Sequence, residues 1–399
     1  MRTSRLKALV VALALIGTVL GACSSSGGDT RTVQVDGKSD EFAGTFRAFF
    51  PRDVTVKPGM TLKFHQTWTG EPHTVTMGTE VQKYAEPLMP LVLKSTSHAV
   101  DDRNLSPEDE ALAGPFFENL PFFFGDKGIN QAAGRPCYLN AGLPKGETPC
   151  AQPKVQPAFT GKQSYYSSGF IPYLGDQGNE FQMKIADDAK PGTYFYYCAL
   201  HGPDMNGQIT VSKTGNVPSQ ATLNREANKE IAAIAKPLVA QLKKEQAGKG
   251  DFKGNLVGSG TDANYTVKGQ VNEFTPRTVK AEVGKPVTWT FIQNHTISFN
   301  VPPYVPYYDV KKNGTVVQSD AIGEPTGGFP GRSAPTADEG PPVPSVHVDA
   351  GKFDGSGGLK SSGVDWQTGD TYTVTFTKAG TYPMACLVHP GMIGKVVVS

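Results

Sequence analysis

The sequence predicts an all-β protein: two β-sandwiches joined by a helical linker, each sandwich carrying a long insertion. Three observations point there. First, the second half repeats the first: "FPRDVTVKPGMTLKF" (50–64) matches "TPRTVKAEVGKPVTWTF" (275–291), and "PGTYFYYCALH" (191–201) matches "AGTYPMACLVH" (379–389). Self-similarity on this scale argues for duplication of one folding unit. Second, the repeated pieces are short, rich in Val, Thr, Tyr and Phe, and bounded by Gly and Pro, as in an antiparallel sandwich. Third, residues 219–250 break the pattern with Leu223, Ala227, Ile231, Ile234, Leu238 and Leu242, one apolar helical face.

The elements follow in chain order. "MRTSRLK" is basic, and "ALVVALALIGTVL" is an apolar run too short to span a bilayer. It ends in "LGAC", which resembles the lipobox of bacterial lipoproteins. That resemblance implies a leader over residues 1–22, lipidation of Cys23, and an extracytoplasmic chain lipid-anchored to the cell membrane of a bacterium. A plain secretory signal is the alternative, and either exports the protein. Residues 23–31 read as a flexible tether, 32–214 as the first sandwich with an insertion at about 80–160, and 215–250 as the helical linker. Residues 251–399 form the second sandwich, with an insertion at about 302–360.

In the first insertion, Ser106–Pro107 opens a capped helix, and the Phe residues that follow cover the parent sandwich or form a docking patch. In the linker, Ser219 is the N-cap, Gly248 the stop, and Pro237 is expected to kink or split the helix. Its stripe packs on one or both sandwiches; a partner-binding helix is the alternative.

The net charge is +1. Without the leader's Arg2, Arg5 and Lys7, 35 basic residues stand against 37 acidic, a net of −2, so nothing suggests a nucleic-acid partner. With Cys23 lipidated, Cys137 and Cys150 flank a Gly/Pro-rich loop and make the natural disulfide in an oxidising compartment. A Cys198–Cys386 pair is the alternative, but it leaves the His and Met beside each unexplained.

Those neighbours matter because the chain holds only 5 Cys, 7 His and 8 Met. It nonetheless places Cys198, His201 and Met205 together, and again Cys386, His389 and Met392. Each cluster has an upstream His on a β-like run, His73 in "PHTVTM" and His295 in "NHTISF". Alternation puts Tyr194, Tyr196 and Cys198 on one strand face, with His201 on the loop after it and Met205 at the turn into the last strand. Two imidazoles, a thiolate and a thioether favour copper in an electron-transfer site, whereas zinc recruits a fourth strong ligand.

Both halves resemble cupredoxins, the blue-copper family that includes plastocyanin, amicyanin and azurin. The spacing C-x2-H-x2-M of the second half is that of amicyanin; the first half has C-x2-H-x3-M. The resemblance covers both strand frameworks and leaves out the insertions and linker. It implies Greek-key sandwiches and two type 1 copper ions, one held by His73, Cys198, His201 and Met205, the other by His295, Cys386, His389 and Met392. It also implies that His201 and His389 lie near the surface in apolar patches and pass electrons to redox partner proteins, which the sequence does not identify. Where plastocyanins commonly carry Asn after the first His, this chain has Thr74 and Thr296, implying a weaker or different contact to the Cys loop. Tyr197 offers a second electron route by the same resemblance, or is simply an exposed strand residue.

Enzymes built from this sandwich need further histidines in H-x-H or H-C-H patterns, and the sequence has none. His65, His98 and His347 are scattered, and a catalytic site made of them is the minor alternative. Copper storage or delivery is another, although the Met- or His-rich tracts usual for it are absent. The sequence thus predicts an electron carrier and not an enzyme.

Overall fold

The computed structural model describes residues 30–67, 69–100, 105–121, 124–125, 128–134, 157–171, 179–250, 253–258, 267–292, 295–303, 308–313, 315–319, 345–364 and 368–399. The leader, Cys23, Cys137 and Cys150 lie outside these residues, and with them the expected lipidation and disulfide. Thr30 and Arg31, assigned above to the tether, open the strand Thr30–Val35.

The protein is mostly β, with several sheets and few helices. Alternating burial makes the strands: in Thr61–Gln66, Leu62, Phe64 and Gln66 are buried while Lys63 and His65 face outward. In the first half one sheet runs Phe49–Phe50, Thr30–Val35, Thr61–Gln66, Glu180–Lys184. The facing sheet runs Asp53–Val56, Gly202–Val211, Gly192–Cys198, Thr76–Met77, Tyr166–Ser167.

The second half repeats both orders. One sheet is Phe274–Thr275, Asn255–Val257, Pro286–Phe291, Thr371–Phe376 with His347–Phe353 added at the edge. The other is Thr278–Ala281, Ile393–Val398, Gly380–Ala385, Ser298–Phe299, Lys360–Ser361. Each half closes on its own apolar core, one around Phe64, Tyr196 and Met205, the other around Trp289, Phe299 and Phe376.

The sheets are mixed, not antiparallel as expected. Thr30–Val35 runs parallel to Thr61–Gln66, and Asp53–Val56 parallel to Gly202–Val211, with the same two parallel pairs in the second half. Alternating burial carries no sign for strand direction, and parallel neighbours arise when the chain crosses between sheets before returning.

The helix Gln220–Gln246 starts at Ser219, whose side chain accepts from the Thr222 N–H, and it is not split at Pro237. Proline removes its own N–H bond and crowds the carbonyl four residues back, a local cost that packing offsets here. Ile234 and Leu238, buried on either side of it, hold the helix against Phe42, Phe46 and Phe50 of the first half and Val271 of the second. The helix therefore sits where the halves meet. There Gly44–Thr45 pairs with Gln270–Val271, and the Leu200 side chain packs against both sandwich cores.

The described helices of the first insertion form a cover. Pro107–Asn119 is a helix capped by Ser106, and with Thr79–Ala85 it covers Phe195, Tyr197 and Ala199, the outer face of the Cys198 strand. Tyr197 is therefore fully buried, not exposed; its ring meets Phe116 edge-on at 5.0 Å and its hydroxyl donates to the Pro121 carbonyl.

Candidate metal centres

Two groups of side chains converge as donor sets: His73, Cys198 and His201, and His295, Cys386 and His389. Within each, one donor atom per residue lies within 4.8 Å of the others. Cys198 ends the strand Gly192–Cys198 and Cys386 directly follows the strand Gly380–Ala385, and neither is in a disulfide. His73 lies just before the short strand Thr76–Met77, whose pairing with Tyr196 and Tyr197 fixes its distance from Cys198.

The loops after each Cys differ. In the first half the ladder shifts register at Cys198, which pairs with Gly202, so Met205 sits on the last strand and not at a turn before it. In the second half Met392 precedes the strand Ile393–Val398, and its carbonyl accepts the Cys386 N–H. Both methionines are fully buried in the cores that hold their cysteines.

Each thiol is braced identically. The Thr74 and Thr296 N–H groups point at Sγ of Cys198 and Cys386, each at 3.4 Å. The Thr74 hydroxyl accepts from the Ala199 N–H, and the Thr296 hydroxyl from the Leu387 N–H, each at 2.8 Å. The residue after the first His thus contacts the Cys loop through a Thr hydroxyl in both halves, within the expectation of a weaker or different contact. Chains of hydroxyls, Thr74–Thr76–Ser167 and Thr296–Ser298–Ser361, continue behind both.

The electrostatics suit thiolates. Burial opposes ionisation of Cys198, yet His201 and His73 hold it well below the usual thiol range; His295 and His389 do the same for Cys386. Burial likewise depresses the imidazoles, but Asp36 and Cys198 raise His73 to about 10, and Cys386 and Glu71 raise His389 to about 9. His73 Nδ1 faces Cys198 Sγ at 3.8 Å while Nε2 lies 3.0 Å from Asp36 Oδ2, and both residues are fully buried. Asp36 is itself fixed by the Gly37 and Phe46 N–H groups and the Thr69 hydroxyl. In the second set, Nδ1 of His389 lies 3.7 Å from Cys386 Sγ and 3.1 Å from Nδ1 of His295.

His201 and His389 are not in exposed apolar patches, which corrects the expectation for both. His389 is 1% exposed and the His201 side chain 14%. Each turns Nε2 toward Glu71, a buried residue that sequence reasoning passed over: 2.9 Å from His201 to Oε2 and 3.4 Å from His389 to Oε1. Burial alone would raise the Glu71 carboxyl, but the two histidines hold it well below its usual range. A cleft of about 160 Å³ reaches His201 and Met205 beside Arg47 and Lys268, and one of about 380 Å³ reaches His389 and Pro390 beside Arg277.

The remaining histidines stand apart from both sets. His65 is exposed beside Glu180, His98 contacts Ser95 and Ser97, and His347 contacts Thr371.

No protein-family profile and no curated protein matches the chain. Among solved structures it is similar to amicyanin mutants: the Cu(I) form of one, the reduced form of another and the oxidised state of a third. Each is 19% identical and is matched over 32% of this chain and 73% of the amicyanin chain, with a TM-score of 0.16. A score this low does not establish a shared overall arrangement.

Proposed function

We propose that the protein is a cupredoxin-like electron carrier with two type 1 copper sites. The observation that carries this reading is the repeated donor set: two imidazoles around one thiolate, in each half of the molecule. Buried Nδ1 of His201 has no aligned hydrogen-bond partner among the described residues, as expected of a nitrogen kept for a metal. A single thiolate with two imidazoles and a buried thioether nearby suits copper and gives zinc only three strong donors.

His73, Cys198 and His201, with Met205, would hold one ion, and His295, Cys386 and His389, with Met392, the other. Copper would supply a one-electron couple. The chain's own part is to keep the donors still: hydroxyl chains and backbone ladders fix each Cys, Asp36 fixes His73, and the cores exclude water. The carrier would work outside the cytoplasmic membrane on the lipid of Cys23 and serve redox partner proteins without catalysing a reaction.

The experiment is to load the soluble chain, starting after Cys23, with Cu(II), then count bound copper and record the visible spectrum. The expected result is two coppers and an intense thiolate-to-copper absorption band. Bound copper without that band contradicts the proposal.

A further inference from the structure

Glu71 stands between the two donor sets. Oε2 is 2.9 Å from Nε2 of His201 in the first half, and Oε1 is 3.4 Å from Nε2 of His389 in the second. Nδ1 of His389 faces its thiolate at 3.7 Å and Nδ1 of His201 has no aligned partner among the described residues, so Nε2 is the nitrogen left to carry hydrogen on each ring, and a carboxylate has an acceptor for each. The Gln270 amide also lies 3.4 Å from Nε2 of His389, hydrogen-bonded in turn to Asn272.

The backbone is shaped for this approach. Gly70 has φ +119, and a Cβ there would lie 1.9 Å from the Val388 carbonyl oxygen. Only glycine lets this loop press so closely on the chain before His389. Counting back from His295, the second-half counterpart of Glu71 is Gln293. One carboxylate from the first half thus faces both sets.

We infer that Glu71 is a shared positioning residue that couples the two metal sites, so that a change at one is felt at the other through the His201–Glu71–His389 contact. This inference rests on the two-copper reading. It makes the sites a linked pair instead of two independent carriers on one chain, since a carboxylate pulled toward one imidazole is less available to the other. Coupling of this kind is reciprocal.

The test is a double-mutant cycle on the copper-loaded chain, reading the second site's Cu(I) affinity by competition with a chromophoric chelator, together with its absorption band. Cys198→Ser removes the thiolate of the first site. With Glu71 present, that change should shift the second site's Cu(I) affinity by about fivefold or more, the usual scale of coupling between sites. In Glu71→Gln the same change should shift it little, because a glutamine carbonyl accepts from one imidazole and its NH2 opposes the other.

Glu71→Asp, which keeps the charge and loses reach, should uncouple the sites as well. Thermal melts by circular dichroism select variants that fold, and if neither Glu71 variant does, Cys198→Ser alone decides. Independent effects of Cys198→Ser and Glu71→Gln, or a second site indifferent to Cys198→Ser, would overturn the inference while leaving both coppers in place. Absence of the thiolate band in the unaltered chain would instead overturn the two-copper reading.

Discussion

In the first half each imidazole has a carboxylate behind it, Asp36 at His73 and Glu71 at His201. In the second half His389 shares Glu71, and the register that pairs Val35 with Phe49 and Val257 with Phe274 puts Gly258 where the first half has Asp36. The outer faces of the Cys strands differ too. Phe195 and Tyr197 lie under the insertion helices, while of their counterparts Pro383 is exposed and Ala385 half-buried. Duplication kept the donors and the threonine braces in both halves and varied what stands behind them. The sites should therefore bind the same metal with different strength and electrostatic surroundings.

The largest effect expected comes from the thiolates. Cys198→Ser and Cys386→Ser should each lower bound copper from two per chain to one, leaving the other site's band; losing both coppers from one change would mean a single shared site. Next comes Asp36→Asn, which weakens the support of His73. It should lower copper affinity of the first site by roughly 10- to 100-fold, the usual cost of losing a partner behind a metal ligand. The second site should change far less, by no more than the coupling through Glu71, and chelator competition on the single-site variants reads the difference.

The pH response should also separate the halves. A metal-binding imidazole must be neutral, and the metal-free protein keeps His73 protonated below about 10 and His389 below about 9. Copper loading at pH 7 should release protons, and affinity should fall as pH falls, which a pH-stat titration and competition assays at several pH values measure. A loading that releases no proton would contradict this. The smallest effect is on stability. Thr74→Val leaves the buried Ala199 N–H without its acceptor and should cost about 1–3 kcal/mol in a denaturant melt. Thr296→Val should cost about as much, since the brace is the same in both halves.

The donors were legible because Cys, His and Met are scarce here and recur in the same order in a repeated strand frame. The caps at Ser106 and Ser219 were legible because each hydroxyl precedes a helical apolar pattern, and both side chains do accept the N–H groups expected of them. Strand direction was not, since alternation reads the same both ways along a chain. Nor was the continuity of the helix through Pro237, because the propensity argument leaves out the apolar groove that holds both sides of the proline. Glu71 was hidden for another reason: it lies two residues before His73 but meets His389 from 318 positions away. The available signal was that Gly70 and Glu71 have no match in the second half, where Ile292 and Gln293 stand at the same distance before the His. Tyr197 was misplaced because its cover is an insertion the repeat does not contain.

The most direct test of two copper sites is anomalous diffraction at the copper edge from crystals of the Cu-loaded protein. The account predicts two peaks, one among His73, Cys198 and His201, the other among His295, Cys386 and His389, with Glu71 between them. A single peak, or copper held away from both cysteines, would contradict it.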